Sequence, residues 1–198
     1  MKRHNSLFVF ILIFLFALTA CEEEVYTPKP KGFFRIDMPK KEYQSFQADY
    51  CPFTFQYPAY GTVEKKEKFF NDIPDHPCWL NISFPYFNGK LHLTYVAIDT
   101  PEKLEQSIND AYKYSMKHVQ KADFIDETTI LTDQVNGKLF DLGGDVASSI
   151  QFYVTDSATN FLRGSLYFNE HPNADSLRPV IEFLREDISA MMKTVVWE

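Results

Sequence analysis

The sequence is poor in the devices that most enzymes and nucleic-acid binders need. It has only 7 glycines and 3 cysteines in 198 residues. No glycine-rich phosphate loop or dinucleotide fingerprint is present: Gly143-Gly144-Asp145 lacks the third glycine and the Gly-Lys-Ser/Thr, and reads as a bulge or tight turn. No H-x-x-x-H, H-E-x-x-H or C-x-x-C pairing occurs, so the usual zinc ligand sets are missing and no metal is expected. Ser148-Ser149 lacks the G-x-S-x-G elbow. Basic residues are outnumbered, 20 to 27, and they are not clustered, which excludes a nucleic-acid footprint. No apolar run reaches the roughly 20 residues that a membrane-crossing helix needs.

An apolar run of 12 residues, from Leu7 to Leu18, does stand near the start, behind Lys2, Arg3 and His4. That layout is a secretory signal peptide, residues 1–20. It ends in Leu18-Thr19-Ala20-Cys21, an aliphatic residue, two small ones and a cysteine, which is the pattern of a bacterial lipobox. Cys21 is then the first mature residue and the lipidation site. Its acyl chains, of the palmitate kind, hold the protein by about 0.8 kcal/mol per buried methylene. Glu22, Glu23 and Glu24 close the apolar segment. Loss of Lys2 and Arg3 takes the net charge from −7 to about −9, which suits a soluble body held at a surface by its lipid.

With Cys21 lipidated, Cys51 and Cys78 remain, an even number for an oxidising compartment. A disulfide between them is the favoured reading, with two free buried thiols as the alternative. Residues 21–32, with Pro28 and Pro30, form an extended tether reaching some 30 Å at about 3.1 Å per residue. Residues 33–50 follow as an aromatic arm without a clean period, at the head of a single domain over 33–198. Phe33, Phe34, Ile36 and Tyr43 are its candidate partner contacts; packing on their own domain is the alternative.

From Cys51 onward the periods are clear. Phe53, Phe55 and Tyr57 alternate as one face of a strand. Asn88-Gly89 and Asn136-Gly137 each sit between strand-like runs and predict tight hairpins with type I′ turns. Thr100 and Pro101 predict a helix start, with Leu104, Ile108, Ala111, Tyr112 and Val119 on one side. SSIQFYVTD and NFLRGSLYF read as adjacent antiparallel strands around a turn at 156–160. Leu177, Ile181, Leu184, Ile188, Met191 and Val195 form an apolar stripe on a closing helix, with Asp175 as its cap and Pro179 in its first turn. Strand, hairpin, helix, hairpin, hairpin, helix is an α+β order: an antiparallel sheet with helices packed on it. It loosely resembles the Mog1/PsbP-like α/β/α sandwich.

Catalysis finds little footing. His76 lies two residues from Cys78 with Asp75 nearby, but a disulfide would consume the thiol, and Pro74 and Pro77 mark a rigid loop. Arg163, between Leu162 and Gly164, reads by default as a solvated strand residue, with an ion pair or a recognition role as alternatives.

Several long stretches resemble the gliding-motility lipoprotein GldD family. They are the lipobox cysteine, YTPKPKGFFRIDMPKKEYQSF, CPFTFQYP, PCWLNISFP, and ASSIQFYVTDSATNFLRGSLYFNEHPNADSLRPVIEFLREDI. The resemblance covers essentially the whole mature chain. It implies a non-enzymatic envelope lipoprotein without cofactor, serving gliding motility and type IX secretion alongside other gliding lipoproteins. An enzyme or small-ligand binder with a pocket between sheet and helices is the competing reading. The acidic run begins directly after Cys21 and lacks a preceding Lys or Ser, so it differs from surface-export signals. An outer-membrane anchor with the domain in the periplasm is therefore expected.

Overall fold

A computed structural model describes residues 35–65 and 76–198. The chain divides into Met1–Arg35 and Ile36–Glu198, and the architecture below is that of the second unit. The signal peptide, Cys21, the tether, Phe33, Phe34 and Asp75 lie outside the described residues.

Among the described residues, ten strands and two α-helices follow one another in an α+β order. A seven-stranded, fully antiparallel sheet runs β3 (Thr62–Lys65), β4 (Leu80–Phe84), β5 (Gly89–Ala97), β9 (Asn160–Phe168), β8 (Ile150–Thr155), β7 (Asn136–Gly144), β6 (Ala122–Leu131). A small sheet joins β1 (Tyr43–Phe46), β2 (Phe53–Pro58) and β10 (Val196–Trp197). Helix α1 spans Pro101–Met116 and α2 spans Ala174–Lys193.

The large sheet is covered on both faces, as strand alternation requires. Leu91, Leu93, Ile150, Phe152, Leu162 and Leu166 point to one side, where Phe53 and Phe55 of β2 and Leu184, Ile188 and Met191 of α2 complete the main core. Phe140, Leu142, Tyr153 and Phe161 point to the other side, under Leu104, Ile108, Ala111 and Tyr112 of α1. Each fully buried aromatic such as Phe53 contributes about 1.5–3 kcal/mol relative to exposure.

Both hairpins expected around the Asn-Gly pairs form, but neither pair is a two-residue type I′ turn. In the first, Pro85 starts a 3-10 turn over Pro85–Phe87, and Asn88 alone takes a left-handed conformation (φ 50°). Gly89 is already in β5, opposite Phe84. Proline's fixed φ and the burial of Phe87 account for the four-residue loop. In the second, Thr132 moves the turn upstream. Its amide donates to the Val135 carbonyl at 2.8 Å, and its hydroxyl accepts from the Gln134 and Val135 amides. Gly137 serves packing instead: a Cβ there would stand 2.2 Å from the Tyr153 carbonyl oxygen.

The helix ends differ in one detail each. Thr100 caps α1, accepting from the Lys103 amide at 3.2 Å, but α1 ends at Met116 and leaves Val119 exposed in the following turn. Asn173, not Asp175, caps α2; it accepts from the Ser176 amide, and Asp145 Oδ1 accepts from the Ala174 amide at 2.8 Å. With the start fixed at Ala174, Pro179 is the sixth helical residue and lies past the first turn. Its missing N–H removes one helical bond to the carbonyl of residue 175.

Candidate functional site

Cys51 and Cys78 are joined by a disulfide, with Cα atoms 5.3 Å apart. Cys51 precedes β2 and Cys78 precedes β4, so the bond ties the small sheet to the edge of the large one. Cys78 therefore has no free thiol for His76. That ring instead accepts from the Cys78 amide at 3.1 Å and sits edge-on to Tyr95, and burial pushes its pKa down. His92 Nδ1 is held 2.5 Å from Asn81 Oδ1. His118 is likewise pushed down by burial, and His171 is exposed. Among the described residues no three His, Cys, Asp or Glu come together as metal ligands.

The arm is engaged by the chain's own body. Ile36 and Met38 pack against the main core, and Tyr43–Phe46 forms β1, paired antiparallel with β2. Ile36 and Tyr43, candidate partner contacts, therefore also contact their own body, and Tyr43 remains 40 % exposed.

The centre of this attachment is Asp187 of α2, only 1 % exposed. Its Oδ1 accepts from the Tyr43 hydroxyl at 2.6 Å and lies 3.2 Å from Lys41 Nζ; its Oδ2 accepts from the Tyr60 hydroxyl. Lys41 also donates to Glu186 at 2.6 Å and to the Phe183 carbonyl, and its ammonium sits over the Phe183 ring. Burial and the Asp187 hydrogen bond push the Tyr43 phenol up to about 12, and Tyr60 further still, so both remain donors at any physiological pH. Burial opposes the charge on Lys41, but the bonds to Glu186 and Asp187 outweigh it and raise its pKa. One carboxylate thus fastens the arm, the loop after β2 and the last helix. A buried carboxylate with a full set of donors is structurally stable and chemically quiet.

A second polar spot is Arg163 in β9. It is half-buried and forms no ion pair among the described residues: burial lowers its pKa, its guanidinium lies 4.1 Å over the Tyr114 ring, and its hydrogen bond goes to Ser165 Oγ at 3.4 Å. A cleft of about 330 Å³ lies elsewhere, between the Gly143-Gly144 end of β7 and α2. There Arg185 donates to Asp141 at 2.7 Å. Burial raises the Asp141 pKa against the pull of Arg185. Gly144, at φ 96°, faces the irregular register at Ala122 and Phe124, as a bulge there predicts.

Sequence reading missed Asp187, which looks like an ordinary helix acid.

Fold and site define the class: an α+β sandwich whose N-terminal arm is stitched to its last helix, carried behind a lipobox. The family model for the gliding motility lipoprotein GldD matches residues 23–197, and the chain belongs to that family. It is a gliding motility lipoprotein, associated with the cell envelope. No curated protein matches the chain significantly. Among solved structures, the solution structure of cyanobacterial PsbP (CyanoP) from Synechocystis sp. PCC 6803 is similar, at 10 % identity and a TM-score of 0.48 over 89 % of this chain and 100 % of that one. A likeness of that extent says nothing of activity. No helix among the described residues is long and apolar enough to cross a membrane.

Proposed function

We propose that the protein is a non-enzymatic assembly component of the gliding and type IX secretion machinery, anchored by Cys21 in the outer membrane with its body in the periplasm. The family match over 23–197 carries this reading. The lipobox at Leu18–Cys21 supports the anchor, and the Cys51–Cys78 bond suits an oxidising compartment. The chain's polar chemistry points the same way, because the buried acids Asp187 and Asp141 are spent on holding elements together. Other gliding lipoproteins and secretion components are the proposed partners. Phe33, Phe34, Ile36 and the exposed face of Tyr43 are the arm's contact candidates.

The test is made in gliding cells. Cys21→Ala should abolish labelling by an alkyne fatty acid and stop gliding. Single Ala substitutions of His76, His92, His118, His171 or Ser149 should leave gliding intact at normal protein abundance. Loss of motility from one of these would favour an enzyme. Digestion by protease added to intact cells would refute the periplasmic placement. Phe33→Ser with Phe34→Ser should weaken co-purification with other gliding lipoproteins and leave the melting temperature unchanged.

A further inference from the structure

We propose that the polar face of the large sheet beside α1 is a binding site for a carboxylate, with the half-buried Arg163 guanidinium as its anchor. The starting point is a mismatch in how the body treats its partly buried cations. Lys41 meets Glu186 and Asp187, Lys138 meets Glu127 at 2.7 Å, and Arg185 meets Asp141. Arg163 sits in the middle strand of the sheet with only a tyrosine ring and one long hydrogen bond. Asp110 of α1 is the carboxylate whose charge reaches it, and the two do not form an ion pair. A desolvated guanidinium without a counter-charge is costly, and an anion bound beside it would relieve that cost.

The surroundings describe what the anion should look like. Cross-strand register places Thr94 and Tyr153 beside Arg163, His92 and Gln151 beside Ser165, and Lys90 beside Tyr167, all on one face. Tyr167 is exposed and supplies a neutral hydroxyl, Ser165 and Gln151 are buried polar neighbours, and His92 is held by Asn81. Tyr114 forms the wall on the α1 side, with Lys117 Nζ 4.6 Å over the same ring. The guanidinium lies over the Tyr114 ring, and one of its terminal nitrogens donates to Ser165 Oγ. Two parallel N–H groups match the two oxygens of a carboxylate. Asp110 and the net charge of −7 weigh against two charges concentrated on one group, as in phosphate, whereas succinate carries its second charge on a separate carboxylate several bonds away. The carboxylate can come from a small organic acid or from the terminus of a peptide.

The test uses the lipidated protein in detergent, with its melting temperature followed at constant ionic strength. The probes are succinate, inorganic phosphate, and an alanine tripeptide as the free acid and as the amide. Wild type should melt higher with succinate or with the peptide acid. Arg163→Met should lose at least about tenfold in affinity, the equivalent of one charge-assisted contact. Without probe, that variant should melt no lower than wild type, since it removes an unpaired cation and keeps the stem volume. Arg163→Lys keeps the charge without the fork and should respond more weakly than wild type. A response to succinate alone assigns a small acid; a response to the peptide acid and not to the amide assigns a peptide terminus. The proposal is overturned if no carboxylate shifts wild type, if only phosphate does, or if Arg163→Met responds as wild type does. It is also overturned if Arg163→Met melts several degrees lower with no probe effect in wild type, because Arg163 is then a structural pin against Tyr114.

Discussion

Replacing Asp187 with Ala tests the reading that one carboxylate holds the arm to the body. The substitution takes the shared acceptor from Tyr43 and Tyr60 and half the ion pairing from Lys41. A hydrogen bond to a charged group contributes roughly 1.5–3 kcal/mol, and breaking a buried charged cluster by removing one member costs about 3–5 kcal/mol. A body of this size loses about 2–4 °C of melting temperature per kcal/mol, so the expected drop is roughly 6–20 °C. Tyr60→Phe alone should cost less, because Tyr43 and Lys41 still serve the carboxylate. The double variant should show a coupling of about 1.5–3 kcal/mol by thermal unfolding. Amide hydrogen exchange should rise at Tyr43–Phe46, since β1 has lost its tie to α2. A drop under about 2 °C, or a coupling near zero, would refute the argument and leave the apolar contacts of Ile36 and Phe46 as the arm's real attachment.

Three further outcomes follow from the packing and the electrostatics. Gly164→Ala should destabilise by about 1–3 kcal/mol, because its Cβ would meet the fully buried Phe152 ring at 2.1 Å, whereas Gly143→Ala should be milder, its obstacle being the exposed Phe124 ring; equal melting temperatures for the two would refute the packing argument. Reducing the Cys51–Cys78 bond should cost on the order of 3 kcal/mol in a melt with reductant, and two alkylatable thiols in the native protein would contradict the bond. Partial burial pushes Asp156 up, but amide donations from Asn160, Ala158 and Thr159 prevail and hold it at about 2. A carboxylate depressed on folding stabilises above its unfolded pKa of about 3.9, so its contribution should be present at neutral pH and vanish as pH falls from about 4 to 2, and Asp156→Asn should flatten that limb of the stability curve.

The strands and helices with a strong period were legible. FTFQYP and the apolar stripe of α2 each obey one period and their burial largely follows it, whereas the β8–β9 pair is legible from its apolar runs and is buried on both faces. Elements at edges were not. β6 shows water most of its length, so Ala122–Thr129 carries no alternation to find. β3 has four residues and β10 two, and β10 exists only because β2 offers Thr54 and Phe53 as partners. The turns failed for a related reason. Asn-Gly is permissive for positive φ, but permission is a local property. Pro85 and Phe87 in one hairpin, and Thr132 and Val135 in the other, imposed longer loops through contacts that the dipeptide does not encode.

The same distinction governs the polar sites. Asp187 and Arg163 are single charged residues in otherwise ordinary elements, and their roles come from what the fold sets against them. Asp187 joins residues 41, 43 and 60 to a helix more than 120 positions later in the chain. Nothing in the stretch EFLREDISA announces that tyrosines from the other end will reach it. Arg163 is the converse case. The sequence could not say that its neighbours Thr94, Tyr153 and Ser165 would all be uncharged, because they arrive from β5, β8 and its own strand by register alone. A charge that the fold neutralises is a fastening. A charge left half-buried without a carboxylate partner is one that an anion from outside the chain would stabilise, and that difference sets Arg163 apart from Asp187.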